Sequence, residues 1–171
     1  PAIRPPGTPG PSALGTGGRF PQAALVDNNT LGLEVLSRAQ CLQLLGQVPV
    51  GRIVLTVGAL PAIMPVNFVL HQGQVIIRTD TGAKLAAAAR NAVVAFEVDQ
   101  LDDTGQRGWS VSLVGRAVEV TAAEQLAELR PLPLRPWAPG ERDHYIRIKP
   151  ELISGRRIAA VPADVPVPVQ R

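Results

Sequence analysis

The gaps between the apolar runs constrain this chain more than any single motif. Arg52–Val57 ends at Gly58, Ala62–Leu70 ends at His71-Gln72-Gly73, and Gln74–Thr79 ends at Asp80-Thr81-Gly82. Parallel strands need a crossover of about a dozen residues or more, whereas antiparallel strands join through turns this short. The three runs therefore predict consecutive antiparallel hairpins. Pro65 lies inside the second run. A proline gives no donor to a strand ladder, so an edge or a bulge is expected there.

The rest of the chain follows the same style. Ser37 is suited to cap a short helix carrying Leu42, Leu44 and Leu45, with Gly46 as its stop. Lys84–Arg90 reads as a brief Ala-rich helix and Ala92–Val98 as an apolar strand, followed by a polar loop over Asp99–Gly108. Trp109–Val120 alternates as a long strand, and Gly115 within it suggests a bend where a sheet curves. Thr121–Leu129 reads as a helix with Thr121 as cap and Glu124 as its capping-box partner. Residues 131–140 carry four prolines and predict a loop. His144–Lys149 and Arg156–Ala160 read as two last strands. Some six short strands in meandering order are best hidden by a closed or strongly curved antiparallel barrel. The expected class is mainly β with short helices. No strand–helix–strand alternation supports a Rossmann sheet.

With 171 residues the chain is long enough for one domain. Residues 1–31 hold six Pro and five Gly without periodicity, and 161–171 hold three more Pro. Both read as extended or flexible flanks of a folded domain over 32–160. No stretch approaches the roughly 20 uninterrupted apolar residues of a membrane span. The first 20 residues show no apolar signal core. A cytoplasmic location without membrane association is expected, and the sequon Asn28-Asn29-Thr30 is set aside with it.

Charge and cysteine content narrow the function. The chain has 17 basic and 14 acidic residues, a net charge of +3. Between Gly32 and Ala160 the counts are 14 and 12, and no basic run is longer than Arg156-Arg157. A nucleic-acid footprint should be clustered, so no nucleic-acid partner is expected. Cys41 is the one cysteine, which excludes an internal disulfide. Its place beside Leu42 and Leu45 suggests a buried, inert thiol.

Protein-only catalysis finds little support. His71 sits in a hairpin turn and His144 at the start of a strand, too far apart in the chain to suggest a metal site. Asp102-Asp103 reads as solvated loop charge. There is no nucleophile elbow and no phosphate loop of the Gly-x-x-x-x-Gly-Lys-Ser/Thr type. The catalytic residues are therefore unknown and no metal is expected; an enzyme of this composition would rely on a cofactor.

Three segments stand out. In Arg78-Thr79-Asp80-Thr81-Gly82-Ala83-Lys84-Leu85 a strand gives way to a helix, with Lys84 in the first turn. A cation there opposes the helix dipole by about 0.3–1 kcal/mol. An anion bound at the helix start reverses that sign, and Arg78 with Lys84 would suit a phosphate monoester. Otherwise Lys84 simply points into water. Strand periodicity puts Arg78 and Thr79 on opposite faces. Asn67 interrupts the apolar run around Pro65, either as a ligand contact or as an outward polar residue. Trp109-Ser110 opens a strand, where the indole either covers a flat ligand or a partner subunit, or packs in the core.

Taken in order, these segments resemble a known family. They are Val50-Gly51-Arg52, Pro61-Ala-Ile-Met-Pro65-Val-Asn67-Phe68, Arg78-Thr79-x-x-Gly82-x-Lys84-Leu85, Val94-Ala-Phe96-Glu-Val-Asp99, Gly108-Trp109-Ser110-Val111 and Gly115-Arg116-Ala117. The set resembles the pyridoxamine 5′-phosphate oxidase-like FMN-binding split-barrel proteins over about Leu36 to Ile158. That resemblance implies a six-stranded antiparallel split β-barrel and a homodimer with FMN at the interface. Lys84, with Arg78 and Thr79, would hold the phosphate, and Leu85 would also contact the cofactor. Pro65, Val66 and Asn67 would run along the flavin ring. Trp109 and Ser110 would approach from the sheet, from the second subunit. The basic residues with which true pyridoxamine phosphate oxidases grip their substrate have no counterpart at Met64-Pro65-Val66-Asn67 or Trp137–Tyr145. The resemblance therefore implies an FMN-dependent oxidoreductase acting on an unidentified small molecule. The alternative is a non-catalytic binder of flavin, deazaflavin or haem, serving as carrier or sensor.

Overall fold

The computed structural model describes residues 33–79, 91–103, 107–134 and 144–158. Its elements are β1 (Leu33–Val35), α1 (Arg38–Leu45), β2 (Val50–Val57), β3 (Leu60–His71), β4 (Gln74–Thr79), β5 (Val93–Leu101), β6 (Gly108–Val120), α2 (Ala123–Leu129) and β7 (His144–Ile158). The strands run β1-β7-β4-β3-β2-β5-β6, all antiparallel, and a further β6–β7 pairing closes the circle. Six strands thus form an antiparallel barrel with two short helices among the described residues, and β1 adds to the outside of β7.

The hairpins form where the turn residues allow them. Gly58 and Ala59 link β2 to β3 with φ of 54° and 66°. Gln72 and Gly73 link β3 to β4 with φ of 50° and 73°. Positive φ at both central residues matches the right-handed twist of the flanking strands. Pro65 pairs with Arg52 of β2, while the β3–β4 ladder is described only from Phe68 onward. The Phe68 amide donates toward β2, to the Pro49 carbonyl at 3.0 Å. By alternation the Pro65 nitrogen faces the other way, along an edge β4 does not cover, so the missing donor breaks no ladder bond.

β7 organises the barrel. β6 lies along one flank for its whole length, while β4 pairs with residues 144–148 and β1 with residues 156–158 on the other. The register slips where Val114 faces Leu152 but Gly115 faces Pro150, leaving Glu151 as the extra residue of a bulge. A side chain at Gly115 would come within 2.1 Å of the Lys149 carbonyl. The two strands expected over His144–Lys149 and Arg156–Ala160 are therefore one, because the bulge accommodates Pro150 without ending the strand.

Three other expectations need correction. β5 continues to Leu101 and pairs with Gly108, so much of the segment expected as a loop is strand. The polar Asp99 misled because it lies on the strand's outer face, where it pairs with Arg52. In α2 the N-cap is Ala122, without a side-chain cap, and not Thr121 with a Glu124 box. Thr121 lies one residue too early, directly after β6. The capping box is in α1, where Ser37 and Gln40 bond each other's backbone amides. The helix expected over Lys84–Arg90 lies outside the described residues.

Two cores result. Ile53, Leu55, Val66, Phe68, Val75, Ile77, Val94, Phe96, Val98, Val111, Leu113, Ile146 and Ile148 fill the barrel. Phe68 and Phe96 meet edge to face there, with ring centroids 4.9 Å apart. Helix α1 adds Cys41, Leu44 and Leu45 to the same core. It comes close because Gly155 has no side chain, and a Cβ there would lie 2.7 Å from the Cys41 sulfur. The smaller core lies outside the barrel, with Ile76, Val120 and Tyr145 beneath Leu129 and Leu134.

Overpacking a tight interior contact typically costs about 1–3 kcal/mol. Gly155→Val should therefore destabilise the fold by about that amount, read as a lower midpoint in urea with an unchanged slope.

Candidate functional site

The alternation of β3 and β4 decides what each expected residue can offer. Val66 is buried inside the barrel with Phe68, whereas Pro65 and Asn67 lie on the outer face, exposed and half-buried. On β4, Val75 and Ile77 face the core, and Thr79 shares their side and is buried. Arg78 faces out. Its guanidinium carbon stands 5.6 Å from the centre of the Tyr145 ring, a cation–π position. The hydroxyl of that tyrosine is buried without a hydrogen-bond partner among the described residues. The Phe68–Ile77 pair sets Asn67 beside Arg78 on neighbouring strands. Pro65, Asn67 and Arg78 thus share one outward face, next to the part of β3 that β4 leaves uncovered.

Trp109 and Ser110 divide. The indole belongs to the barrel core, with 8% of the residue's surface exposed. Ser110 is half-buried on the outer face, between Asp99 of β5 and Arg156 of β7. Three strand spacings separate β3 from β6, about 14 Å. Within one protomer Ser110 is therefore not beside Pro65 and Asn67. Lys84 and Leu85 lie outside the described residues.

The outer face holds a network not expected from sequence. Arg52 is paired with Asp99 and, at 3.1 Å, with Glu97. The Asp99 carboxylate first, then Glu97, holds the Arg52 guanidinium above its ordinary value. Beside it runs an apolar row, one residue per strand: Ile63, Val54, Ala95, Val114 and Leu152. Ile63 is 66% exposed. The signal was present in β2, where Val50, Val54 and Leu55 put apolar residues on both faces. A strand wet on one side alternates more cleanly.

Neither histidine is a free acid or base on this face. His71 lies 3.0 Å from Glu128, and His144 lies 2.7 Å from Glu119. Among the described residues no cluster of His, Cys, Asp and Glu is suited to a metal ion. No described helix is long and apolar enough to cross a membrane. The outer face can therefore position a ligand by charge, backbone and apolar contact, while redox chemistry would come from a bound group. Its features suit a flavin: a cation for the phosphate, a strand edge that β4 leaves uncovered for the ring, and a proline that offers a flat surface.

The family model for pyridoxamine 5′-phosphate oxidase matches residues 37–157. The chain belongs to the pyridoxamine 5′-phosphate oxidase-like family. An uncharacterized protein of Mycobacterium tuberculosis is 43% identical over 130 residues, covering 73% of this chain and 85% of the relative. Among solved structures, the FAD binding protein from Mycobacterium smegmatis is 40% identical, with a TM-score of 0.63, covering 73% of this chain and 97% of that one. A conserved protein of unknown function from Corynebacterium diphtheriae is 33% identical, with a TM-score of 0.63, covering 75% and 99%. The split-barrel fold expected from the ordered motifs is the fold observed.

Cys41 is inside this frame rather than at the site. It is fully buried, and its thiol contacts the Leu36 carbonyl at 3.9 Å. Burial pushes its pKa up, against smaller opposing effects of its backbone hydrogen bond and of Arg156 and Arg38. A raised folded-state pKa favours the protonated thiol. Its contribution to stability is complete below the unfolded thiol's pKa, about 8.5, and is lost as pH rises beyond it. The native thiol should therefore resist a disulfide reagent at pH 8 and react fully once unfolded. Cys41→Ala should flatten the loss of stability measured between pH 8 and 10.

Proposed function

We propose that this chain binds a flavin on the outer face where β3 and β4 part, and acts as a flavin-dependent oxidoreductase on a small molecule. The observation that carries the reading is the shared outward face of Pro65, Asn67 and Arg78, beside a strand edge that β4 does not cover. Arg78 would hold the phosphate, joined by Lys84 and Leu85 from the following segment. Thr79 and Val66, whose side chains point inward, would contribute backbone groups. Pro65 and Asn67 would lie along the ring. Both FMN and FAD carry the phosphate and ring this arrangement would grip. The FAD of the 40% identical mycobacterial protein favours FAD as the first flavin to test.

Bound flavin would accept and release hydride or single electrons. The protein's part would be to orient the ring, hold its phosphate and limit water at the exposed edge. Acting as a carrier without turnover is the second reading, supported by the absence of a histidine among the residues of the shared outward face, Pro65, Asn67 and Arg78.

The apolar row on the outer face supports a homodimer. Ile63, Val54, Ala95, Val114 and Leu152 would meet the same row of a second copy, with the paired hydroxyls of Ser112 and Ser154 alongside. A two-fold contact of this kind presents the same patch from both subunits. Ser110, and the backbone at Trp109, would then approach the flavin from the partner, across the gap one protomer leaves open.

Protein incubated with FAD or FMN and then desalted should keep the absorption bands of oxidised flavin. A colourless product with both would overturn the reading. A charge-assisted contact is worth about 1.5–3 kcal/mol, so Arg78→Ala and Lys84→Ala should each weaken flavin affinity by roughly tenfold or more. Bleaching of the bound flavin by NADH or NADPH, followed by steady turnover with an acceptor, would separate the enzyme from the carrier. Ile63→Asp with Val114→Asp should convert a sedimenting dimer to a monomer.

A further inference from the structure

A second ligand-sized feature lies elsewhere on the barrel. An open groove of about 430 Å³ runs over the outer face of β6 and β7, lined by Gln74, Arg116, Val118, Arg147, Lys149 and Glu151. Its size falls within the usual range for small-molecule sites. Arg116 faces Lys149 directly across the β6–β7 ladder. Arg147 is two residues from Lys149 along β7, so it lies on the same face.

Like charges set directly opposite on a sheet destabilise the pairing. Two strand cations elsewhere on this barrel are neutralised: Arg52 by Asp99 and Glu97, and Arg157 by Glu34. Those of the groove are not. Arg116 donates to the Asn91 carbonyl at 2.7 Å, which fixes its guanidinium without neutralising it. Among the described residues neither Arg147 nor Lys149 is in an ion pair, and Glu151 lines the groove without pairing with any of the three. Arg147 also lines a smaller cavity of about 170 Å³ beneath α2, which shares Gln74 with the groove.

We propose that this groove is a binding site for a phosphorylated small molecule carrying two linked phosphates, such as a nucleoside diphosphate. A single phosphate monoester carries at most about −2 at neutral pH, whereas three convergent cations suit two phosphates. The planar forks of Arg116 and Arg147 match phosphate oxygens, and Lys149 adds a mobile point charge. Gln74 offers a neutral amide to a hydroxyl, and Val118 an apolar floor. The site is distinct from the proposed flavin position. Gln74 and Arg78 stand at opposite ends of β4, about 13 Å apart along the strand. Nothing in the proposal depends on the flavin reading.

The test is calorimetric titration of the full chain with inorganic pyrophosphate and with ADP, before and after loading with FAD. Both probes should bind with an affinity that falls as salt rises and does not change with FAD. Arg147→Gln/Lys149→Gln should weaken binding at least tenfold while leaving the melting temperature and FAD retention unchanged. Glu151→Gln, which removes the one carboxylate of the groove, should tighten it several-fold. Arg130→Gln, outside the groove, should have no effect and so controls for net charge. No binding of either probe at millimolar concentration would overturn the proposal, as would binding that survives the double substitution. Binding abolished by FAD would also overturn it, because the phosphates would then occupy the flavin site. So would a double substitution that alters sedimentation but not binding, which would make the groove a contact between copies.

Discussion

The barrel depends on β7 being shared between strands that do not pair with each other. Its fifteen residues keep β6 on one flank throughout, and give the other flank first to β4 and then to β1. The bulge at Glu151 makes this possible. It bends β7 where it leaves β4, at a point where Gly115 leaves space for the Lys149 carbonyl. The same departure brings Gly155 under α1, so the helix closes onto a core the strands alone would leave open. Closure removes most exposed edges of a sheet; among the described residues, the part of β3 around Pro65 is one edge that β4 leaves unpaired.

That edge and the outer face together explain how a framework with few reactive side chains can have a function. The interior is apolar and its alternation strict, so Val66, Thr79 and Trp109 are held by packing. The outer face carries the charged and half-buried groups. Arg52, Asp99 and Glu97 fix one another beside the apolar row, while Arg78 rests over Tyr145 at the end of β4. Polar and apolar rows follow the register, because each ladder step places one residue from every strand on a common line.

Much of this was legible in the sequence. Turn-length gaps dictated antiparallel neighbours, Ser37 and Gly46 bounded α1, Gly115 marked the bend, and Pro65 marked an edge. The alternation of β4 separated Arg78 from Thr79 before any coordinates. What the sequence hid was long-range. Whether Pro150 ends a strand or rides a bulge depends on what faces it across the ladder, and Gly115 is 35 residues away from it in the chain. Asp99 reads as loop until Arg52 is set beside it. Trp109 left both a lid and a core residue open, with packing favoured, and the parity of β6 distinguishes the two. The groove cations were invisible as a cluster because Arg116 and Lys149 meet only through the β6–β7 register.

Pro65 has a second consequence, for the company the protein keeps. An exposed strand edge is a template on which another chain can add by main-chain pairing. At Pro65 the template lacks its donor, so an incoming strand would lose a ladder bond there. A flat, rigid molecule needs no such ladder. One residue thus makes this edge a poorer template for a strand, while a flat ring, which needs no ladder, would lose nothing by it.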